Sequence, residues 1–339
     1  MRSAAILAGV PGILLRRCVT IPVYLLGWAV AFLLTPMLLP LLTIHDIARR
    51  NRFAMVRAFL MLDLYLTSEV AAIVASFVLW LGIRQQREAY LRRNFRLQCW
   101  WARIQFRGGM WLYRIRTVVE GEEQLAHGPY HLFVRHVSVI DNLLPAIYAQ
   151  DRAGIQLRWV LNQSLLRDPA LDIVGNRLAN VFVRGGAQDS EAEIARVREL
   201  ARGLGSTGGT VIYPEGTLFS PAKRERILAR MREGGDPELV ARAEAMTNVL
   251  PLRLGGALAL IEGGPEADLV FCAHTGLERA TSRVDIARGS FIGTTLRIRF
   301  SRVSAAAIPG DLAGRTKLLL DEWAKVDAFV AAGAAAPVR

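Results

Sequence analysis

The sequence predicts an α/β fold in which a central mixed sheet is flanked by helices and preceded by N-terminal hydrophobic membrane helices. Three observations support this prediction. The first 83 residues are strongly apolar, residues 84–116 combine arginine with aromatic side chains, and residues 117–331 alternate short apolar segments with longer amphipathic ones. Such alternation is typical of strands and helices that share one sheet. We therefore divide the chain into residues 1–83, 84–116 and 117–331.

The first of these parts predicts two membrane-anchoring helices. No charged residue occurs in residues 19–43, and a helix of this length can cross a bilayer core about 30 Å thick. A second apolar segment, residues 59–83, contains Asp63 and Glu69. Acids are costly in lipid unless they face protein, so we expect both to face a neighbouring helix. Neither segment ends in the small-residue site of a removed signal peptide, which favours retained anchors.

Arginines flank the second apolar segment on both sides. Positive-inside logic places both groups of arginines on the cytoplasmic side, whereas two complete crossings would separate them. A second segment that is re-entrant or confined to one leaflet resolves this conflict. Residues 84–116 also contain Trp100, Trp101, Trp111 and Tyr113. Arginine mixed with aromatic residues is typical of a helix in the head-group layer.

The composition is consistent with a lipid-facing protein. The chain is 52% hydrophobic yet carries a net charge of +12, which attracts either nucleic acid or anionic lipid head groups. Because the basic segment directly follows an apolar one, we expect membrane phospholipids as partners and no nucleic acid. The three cysteines and five histidines show no metal-ligand spacing, so no metal or resident cofactor is expected. Reduced thiols predict a cytoplasmic-side domain on the inner membrane.

The third part can be divided into predicted elements. Strands are predicted at residues 116–120, 130–135, 158–161, 181–184, 210–213, 249–252, 269–274 and 295–303. Helices are predicted at residues 141–150, 169–178, 190–204, 221–232, 237–246 and 311–330.

The strongest signal for chemistry is RHVSVID, residues 135–141. His136 follows a predicted strand, and Asp141 falls in the first turn of a predicted helix, where a carboxylate suits the helix dipole. This spacing allows the carboxylate to contact the imidazole. A carboxylate on one ring nitrogen makes the other more basic, so that it can take a proton from a hydroxyl. The spacing alone is also consistent with a purely structural pair.

Three further motifs follow: NVFVR, ending at Arg184; VIYPEGTLF, residues 211–219; and VLPLRLGGA, residues 249–257. With the HxxxxD pair of His136 and Asp141, this order resembles the glycerolipid acyltransferase family that includes the 1-acyl-glycerol-3-phosphate acyltransferases. The resemblance covers about residues 129–264. DEWAKVDAFV, residues 321–330, is similar to a pattern in the lysophosphatidate and lysocardiolipin acyltransferase branch.

This resemblance implies the acyltransferase α/β fold and transfer of an acyl group from acyl-CoA or acyl carrier protein (ACP). The implied acceptor is the free hydroxyl of 1-acyl-glycerol-3-phosphate, and the product is phosphatidate. His136 would act as general base, oriented by Asp141, without an acyl-enzyme. A backbone N–H in the PEGT segment would stabilise the oxyanion. The implied substrate-binding residues are Arg184, Glu215, Gly216, Thr217 and Arg253.

Two positions depart from the family pattern. Arg135 stands where the family usually has Asn, and Leu218 stands where it has the arginine that is thought to help hold the acceptor phosphate. Arg184 or Arg253 could replace that contact, although Arg253 could equally be a surface arginine. For Glu215 a structural salt bridge or cap is an alternative, and for Thr217 a turn hydroxyl.

Other functions remain open on the sequence. The same chemistry on another lysophospholipid or on a glycolipid is favoured by Leu218. A second alternative is a non-catalytic lipid-binding membrane protein. The presence of all four motif residues counts against it: His136, Asp141, Glu215 and Gly216. A lipid hydrolase would need a nucleophile motif such as GxSxG, and the chain contains none.

Overall fold

The computed structural model of the chain describes residues 2–184, 190–280 and 283–335. The strands are β1 (Arg116–Glu120), β2 (Tyr130–Val134), β3 (Gln156–Asn162), β4 (Val181–Val183), β5 (Gly208–Ile212), β6 (Asp268–Thr275) and β7 (Thr295–Val303). The first helices are α1 (Arg2–Arg49), α2 (Ala54–Ile83), α3 (Arg87–Leu112), α4 (Leu143–Pro145), α5 (Pro169–Gly175) and α6 (Glu191–Leu200). They are followed by α7 (Pro221–Gly234), α8 (Pro237–Ala245), α9 (Leu254–Gly263), α10 (Arg283–Arg288) and α11 (Leu312–Ala335).

The strands form one seven-stranded mixed sheet in the order β1-β7-β6-β2-β5-β3-β4. Every neighbouring pair is parallel except β6 and β7. Buried apolar side chains cover both faces of the sheet: one layer includes Phe106 of α3 and Tyr148, and the other includes Leu260 of α9 and Trp323 of α11. The predicted fold class, a central mixed sheet flanked by helices, is confirmed.

The N-terminal helices α1 and α2 form a hairpin whose connector spans residues 50–53. Gly12–Arg49 within α1 and the whole of α2 are long and apolar enough to cross a membrane. The hairpin is attached to the α/β part through polar contacts. Arg16 and Arg17 donate to the buried Asp172 at 2.6 and 2.7 Å, and Glu69 accepts from Trp101 Nε1 of α3 at 2.7 Å. Glu69 therefore faces a neighbouring helix, as expected, while Asp63 is half-buried.

One predicted strand is wrong. Residues 249–252 form a loop before α9, although Val249 and Leu250 are completely buried. Side chains satisfy this backbone in place of a strand partner, because Leu250 N–H donates to Glu215 Oε2 at 3.3 Å and Leu250 O accepts from Trp323 Nε1 at 3.2 Å. The helix predicted at residues 141–150 is interrupted: a 3₁₀ turn (Val139–Asn142) is followed by α4 and a π-helix (Ala146–Arg152).

His131 in β2 makes the free energy of unfolding dependent on pH. Its ring is completely buried, where Nδ1 accepts from Thr210 Oγ1 at 2.8 Å and Nε2 donates to Gly264 O at 3.0 Å. Burial lowers its pKa from 6.5 to about 4, against the opposing effect of the Gly264 hydrogen bond. Between these two values the unfolded chain binds the proton and the folded chain does not, so the free energy of unfolding should fall as pH falls.

Urea unfolding of the detergent-solubilised protein at pH 7 and pH 5 measures this effect. The wild type should lose more unfolding free energy on acidification than His131→Gln, which has no imidazole to protonate. Equal losses in the two proteins would show that His131 is not the group responsible.

Candidate active site

The sequence motifs converge at one edge of the sheet. His136 lies two residues beyond the end of β2, and the Pro214–Thr217 turn follows β5. Strands β2 and β5 are parallel neighbours, so both segments leave the sheet at its carboxyl edge. In open α/β sheets this edge is where ligands bind.

His136 and Asp141 form the contact that their spacing predicts. His136 Nδ1 lies 2.9 Å from Asp141 Oδ1, and Asp141 is completely buried. Asp141 Oδ2 accepts the N–H groups of Val137 at 2.7 Å and Ser138 at 2.8 Å. Ser138 is the N-cap of the following turn and Asp141 is its third residue, which makes a capping box. The carboxylate can only accept, so Nδ1 carries the hydrogen and Nε2 is the basic nitrogen.

Two residues that the sequence analysis did not select support this pair. His274 of β6 is buried, and its Nε2 donates to Arg135 O at 2.9 Å and lies 3.8 Å from Asp141 Oδ2. Burial lowers the pKa of His274. The Tyr213 ring centroid lies 4.4 Å from that of His136, and its hydroxyl donates to Asp141 O at 3.3 Å. Burial and the neighbouring Asp141 raise the pKa of Tyr213, which keeps this donor protonated.

Glu215 lies behind the histidine. It is buried, its Oε1 accepts His136 N–H at 3.0 Å, and its Oε2 accepts Leu250 N–H at 3.3 Å. Burial raises the pKa of Glu215 to about 8, although both hydrogen bonds and Arg135 act in the opposite direction. Its carboxyl group therefore joins the segments after β2 and β5 to the loop before α9. These two hydrogen bonds have the form of the cap that was expected as an alternative to a substrate-binding role.

The turn after β5 brings Gly216 against Arg253. Gly216 has a φ of +69°, and a Cβ on it would lie 2.6 Å from Cδ of Arg253, so both the backbone conformation and the space favour glycine. Arg253 N–H donates to Pro214 O at 2.8 Å. Thr217 Oγ1 accepts from Lys223 Nζ at 3.0 Å, and the same ammonium donates to Leu218 O at 3.0 Å. Lys223 thus fixes the turn at Thr217 and Leu218.

A cavity of about 320 Å³ opens at this edge. Its polar wall contains His136, Gly216, Thr217 and Arg253. Apolar side chains from Leu161, Val183, Val197 and Leu218 form much of the remaining wall. Asp141 and Glu215 do not line the cavity but hold His136 in its wall through hydrogen bonds to its ring and its N–H. Arg184 is exposed and is not among the residues that line the cavity, and its backbone N–H donates to Glu193 Oε1 at 2.8 Å.

Arg135, which stands where the resembled family usually has Asn, is completely buried. Its two terminal nitrogens make three hydrogen bonds, while its Nε has no partner among the described residues. Its Nη1 donates to His274 O at 2.8 Å and to Glu278 Oε1 at 2.6 Å, and its Nη2 donates to Asn248 O at 3.0 Å. Burial acts to raise the pKa of Glu278, but the Arg135 charge together with the hydrogen bonds to this carboxylate lowers it. Arg135 therefore ties the histidine loop to the end of β6 and to the loop before α9.

Across residues 2–184, 190–280 and 283–335, no group of three or more His, Cys, Asp or Glu side chains is placed to hold a metal ion.

Comparison with known proteins identifies the fold. No protein-family model matches the sequence, and no curated protein matches it. The structure is similar to the crystal structure of the 1-acyl-sn-glycerophosphate (LPA) acyltransferase PlsC from Thermotoga maritima, with a TM-score of 0.56 and 14% sequence identity. The match covers 86% of this chain and 99% of that one. The chain therefore shares its fold with a known acyltransferase.

Proposed function

We propose that this chain is a membrane-bound O-acyltransferase of phospholipid biosynthesis. It would move a fatty acyl group from acyl-CoA or acyl-ACP to the free hydroxyl of 1-acyl-glycerol-3-phosphate, giving phosphatidate. The observation that carries the proposal is that His136, hydrogen-bonded to the buried Asp141, lies in the wall of a partly apolar cavity. The fold shared with an acyltransferase supports it. Within the family, we propose the branch that contains the lysophosphatidate and lysocardiolipin acyltransferases.

The mechanism follows from the state of the His136 ring. With Nδ1–H bound to Asp141, Nε2 takes the proton from the acceptor hydroxyl as its oxygen attacks the thioester carbonyl carbon. The C–S bond then breaks, and the leaving thiolate recovers the proton from His136. The acyl group passes directly to the acceptor, so no acyl-enzyme forms. The half-buried ring, with 18% of its side chain exposed, is accessible from the cavity.

Backbone N–H groups in the same wall can stabilise the oxyanion. Gly216 N–H donates to Tyr213 O, and Phe219 N–H donates to His136 O at 2.7 Å. The N–H groups of Thr217 and Leu218 between them have no acceptor among the described residues, and both residues line the cavity. A donor aimed at developing negative charge is worth about 3 kcal/mol of transition-state stabilisation. We propose that this pair forms the oxyanion site.

The hairpin supports a membrane location on one leaflet. The contacts of α2 with the α/β part extend from Ala54, next to Gly289, to Ser76, whose carbonyl accepts from Arg177. This is about 33 Å of helix. The helix therefore runs along the domain, while α1 exposes apolar side chains such as Leu33 (72% exposed). We propose that the hairpin inserts into the cytoplasmic leaflet of the inner membrane, which places both arginine groups on one side.

A second candidate acceptor is favoured by Leu218, because it puts an apolar side chain where the family has a phosphate contact. The acceptor would then be another lysophospholipid or a glycolipid. Labelled oleoyl-CoA offered to purified protein with a panel of lyso-acceptors distinguishes the two, and the experiment is repeated with oleoyl-ACP. Preference for 1-acyl-glycerol-3-phosphate supports the first proposal, preference for a different lyso-lipid supports the second, and no transfer favours a non-catalytic lipid-binding protein.

Restoring the missing cation gives a direct test of the acceptor. Leu218→Arg should lower KM for 1-acyl-glycerol-3-phosphate about tenfold, because a hydrogen bond to a charged group contributes about 1.5 kcal/mol. KM for an uncharged monoacylglycerol should not fall, and Leu218→Met should behave like the wild type. If Leu218→Arg leaves the KM of the phosphate acceptor unchanged, the head group does not reach this part of the wall.

A further inference from the structure

We infer that the tip of the α1–α2 hairpin is a binding site for the phosphate of anionic phospholipid head groups, separate from the cavity. The site is built on Arg52, Arg57 and Arg114, which we call the arginine cluster. The inference rests on the membrane location that belongs to the proposed function. It concerns how the protein binds the bilayer surface and is independent of the reaction.

Hydrogen bonds to the backbone hold Arg57, the central member of the cluster. Arg57 Nε donates to Arg52 O at 3.1 Å, and Arg57 Nη1 donates to Leu112 O at the end of α3. Arg114 follows two residues later and is exposed. The Arg52 and Arg114 charges both repel the charge of Arg57. The Arg57 guanidinium is therefore held in place, and the charges of Arg52 and Arg114, from two separate segments, act on it.

These cations lack acidic partners. No ion pair to a carboxylate of the described residues is formed by Arg52, Arg57 or Arg114, nor by the neighbouring Arg49, Arg50 and Arg116. Asp46, in the last turn of α1, accepts Val56 N–H at 2.9 Å and lies next to His45. Like charges held together without counter-charges repel one another, and a bound anion removes that repulsion.

The backbone of the tip is held in an unfavourable conformation. Arg50, Arg52 and Phe53 have φ values of 52°, 61° and 59°, and Arg114 has a φ of 53°. The left-handed region is costly for such residues and is occupied where the surrounding contacts require it. The hydrogen bonds from Arg57 to Arg52 O and Leu112 O supply such contacts. The strained backbone of the tip therefore lies where the Arg57 side chain is held by hydrogen bonds.

The surroundings identify the ligand as lipid. Phe53 and Trp111 next to the cluster are 44% and 77% exposed, and exposed aromatic residues are typical of the head-group layer. The cluster lies at the end of the apolar hairpin, where lipid phosphates are concentrated. Guanidinium groups bind phosphate oxygens through paired hydrogen bonds. The tip also contacts the turn that leads into β7, because Arg52 Nη2 lies beside Gly293, so a bound head group would hold the carboxyl edge of the sheet towards the membrane.

The test uses the full-length protein and its binding to vesicles. In Arg52→Asn/Arg114→Asn, asparagine removes the charge while tolerating the left-handed backbone. Affinity for vesicles of phosphatidylcholine with phosphatidylglycerol should fall about 25-fold, fivefold for each arginine removed. Affinity for phosphatidylcholine vesicles should not change. The matched control Arg226→Gln/Arg230→Gln removes two exposed charges from α7 and should bind both kinds of vesicle like the wild type.

Three results would overturn the inference. An equal loss in the α7 control would assign binding to the net charge alone. Competition by inorganic phosphate as effective as that by phosphatidylglycerol vesicles would assign a free-anion site. If the asparagine variant also loses affinity for phosphatidylcholine vesicles, the variant Arg52→Lys/Arg114→Lys decides the question, since lysine keeps the charge. An affinity for anionic vesicles within about twofold of the wild type supports the site. A loss of affinity as large as that of the asparagine variant contradicts it. The assay needs no acyl transfer, so failure of the proposed reaction would not affect it.

Discussion

Replacing His136 with alanine should slow acyl transfer about 10³-fold, because the acceptor hydroxyl then loses its general base. Asp141 would remain hydrogen-bonded to the N–H groups of Val137 and Ser138, so the loop should keep its conformation. The initial rate of thiol release in the presence of acceptor measures the effect. The midpoint of thermal unfolding and membrane association should both stay close to those of the wild type.

The matched control is His127→Ala, which removes an exposed imidazole and should leave the rate unchanged. A His136→Ala rate within tenfold of the wild type would show that another group takes the proton. A large drop in the unfolding midpoint would instead indicate the structural pair that the sequence analysis left open.

Replacing Arg135 with methionine should lower the free energy of unfolding by about 3 kcal/mol, since a buried charge partner is removed. We use the lower end of the range because 35% of the Glu278 side chain is exposed. The change leaves Glu278 without its partner and removes the donor to His274 O and to Asn248 O. Urea unfolding of the detergent-solubilised protein measures the loss.

The double variant Arg135→Met/Glu278→Met should recover part of this stability, because it removes the unpaired carboxylate as well. A single-variant loss below about 1 kcal/mol would contradict the account of Arg135. The transfer rate of Arg135→Met should fall as well, since the same guanidinium holds the loop that carries His136.

Local sequence signals were sufficient for several of these features. The pair of His136 and Asp141 could be predicted because its two members lie within six residues of one another and the capping box from Ser138 to Asp141 determines the position of the carboxylate. Strands β1 and β7 have the predicted bounds because their apolar segments are paired directly in the sheet. The apolar helices were predictable from hydropathy alone, although α1 extends well beyond residues 19–43.

Features that depend on distant residues could not be predicted in the same way. Glu215 accepts hydrogen bonds from His136 and Leu250, which are 79 and 35 residues away. No local sequence pattern reveals a contact between residues so far apart. The strand predicted at residues 249–252 was wrong because apolar residues can also be buried in a loop whose N–H groups bind a side chain. His274 and Tyr213 reach the pair from β6 and from the segment after β5. Arg184 had the stronger signal in the sequence, because it ends the NVFVR motif, yet of these two arginines only Arg253 is among the residues that line the cavity.

The proposed reaction is the transfer of an acyl group to a lyso-lipid hydroxyl. The most direct test is to supply purified protein in phospholipid vesicles with labelled oleoyl-CoA and 1-acyl-glycerol-3-phosphate, and to measure the lipid product against the thiol released. The account predicts one labelled phosphatidate for each thiol and no labelled protein. Folded, vesicle-bound protein that forms no acylated product from any lyso-acceptor, with either oleoyl-CoA or oleoyl-ACP, would contradict it.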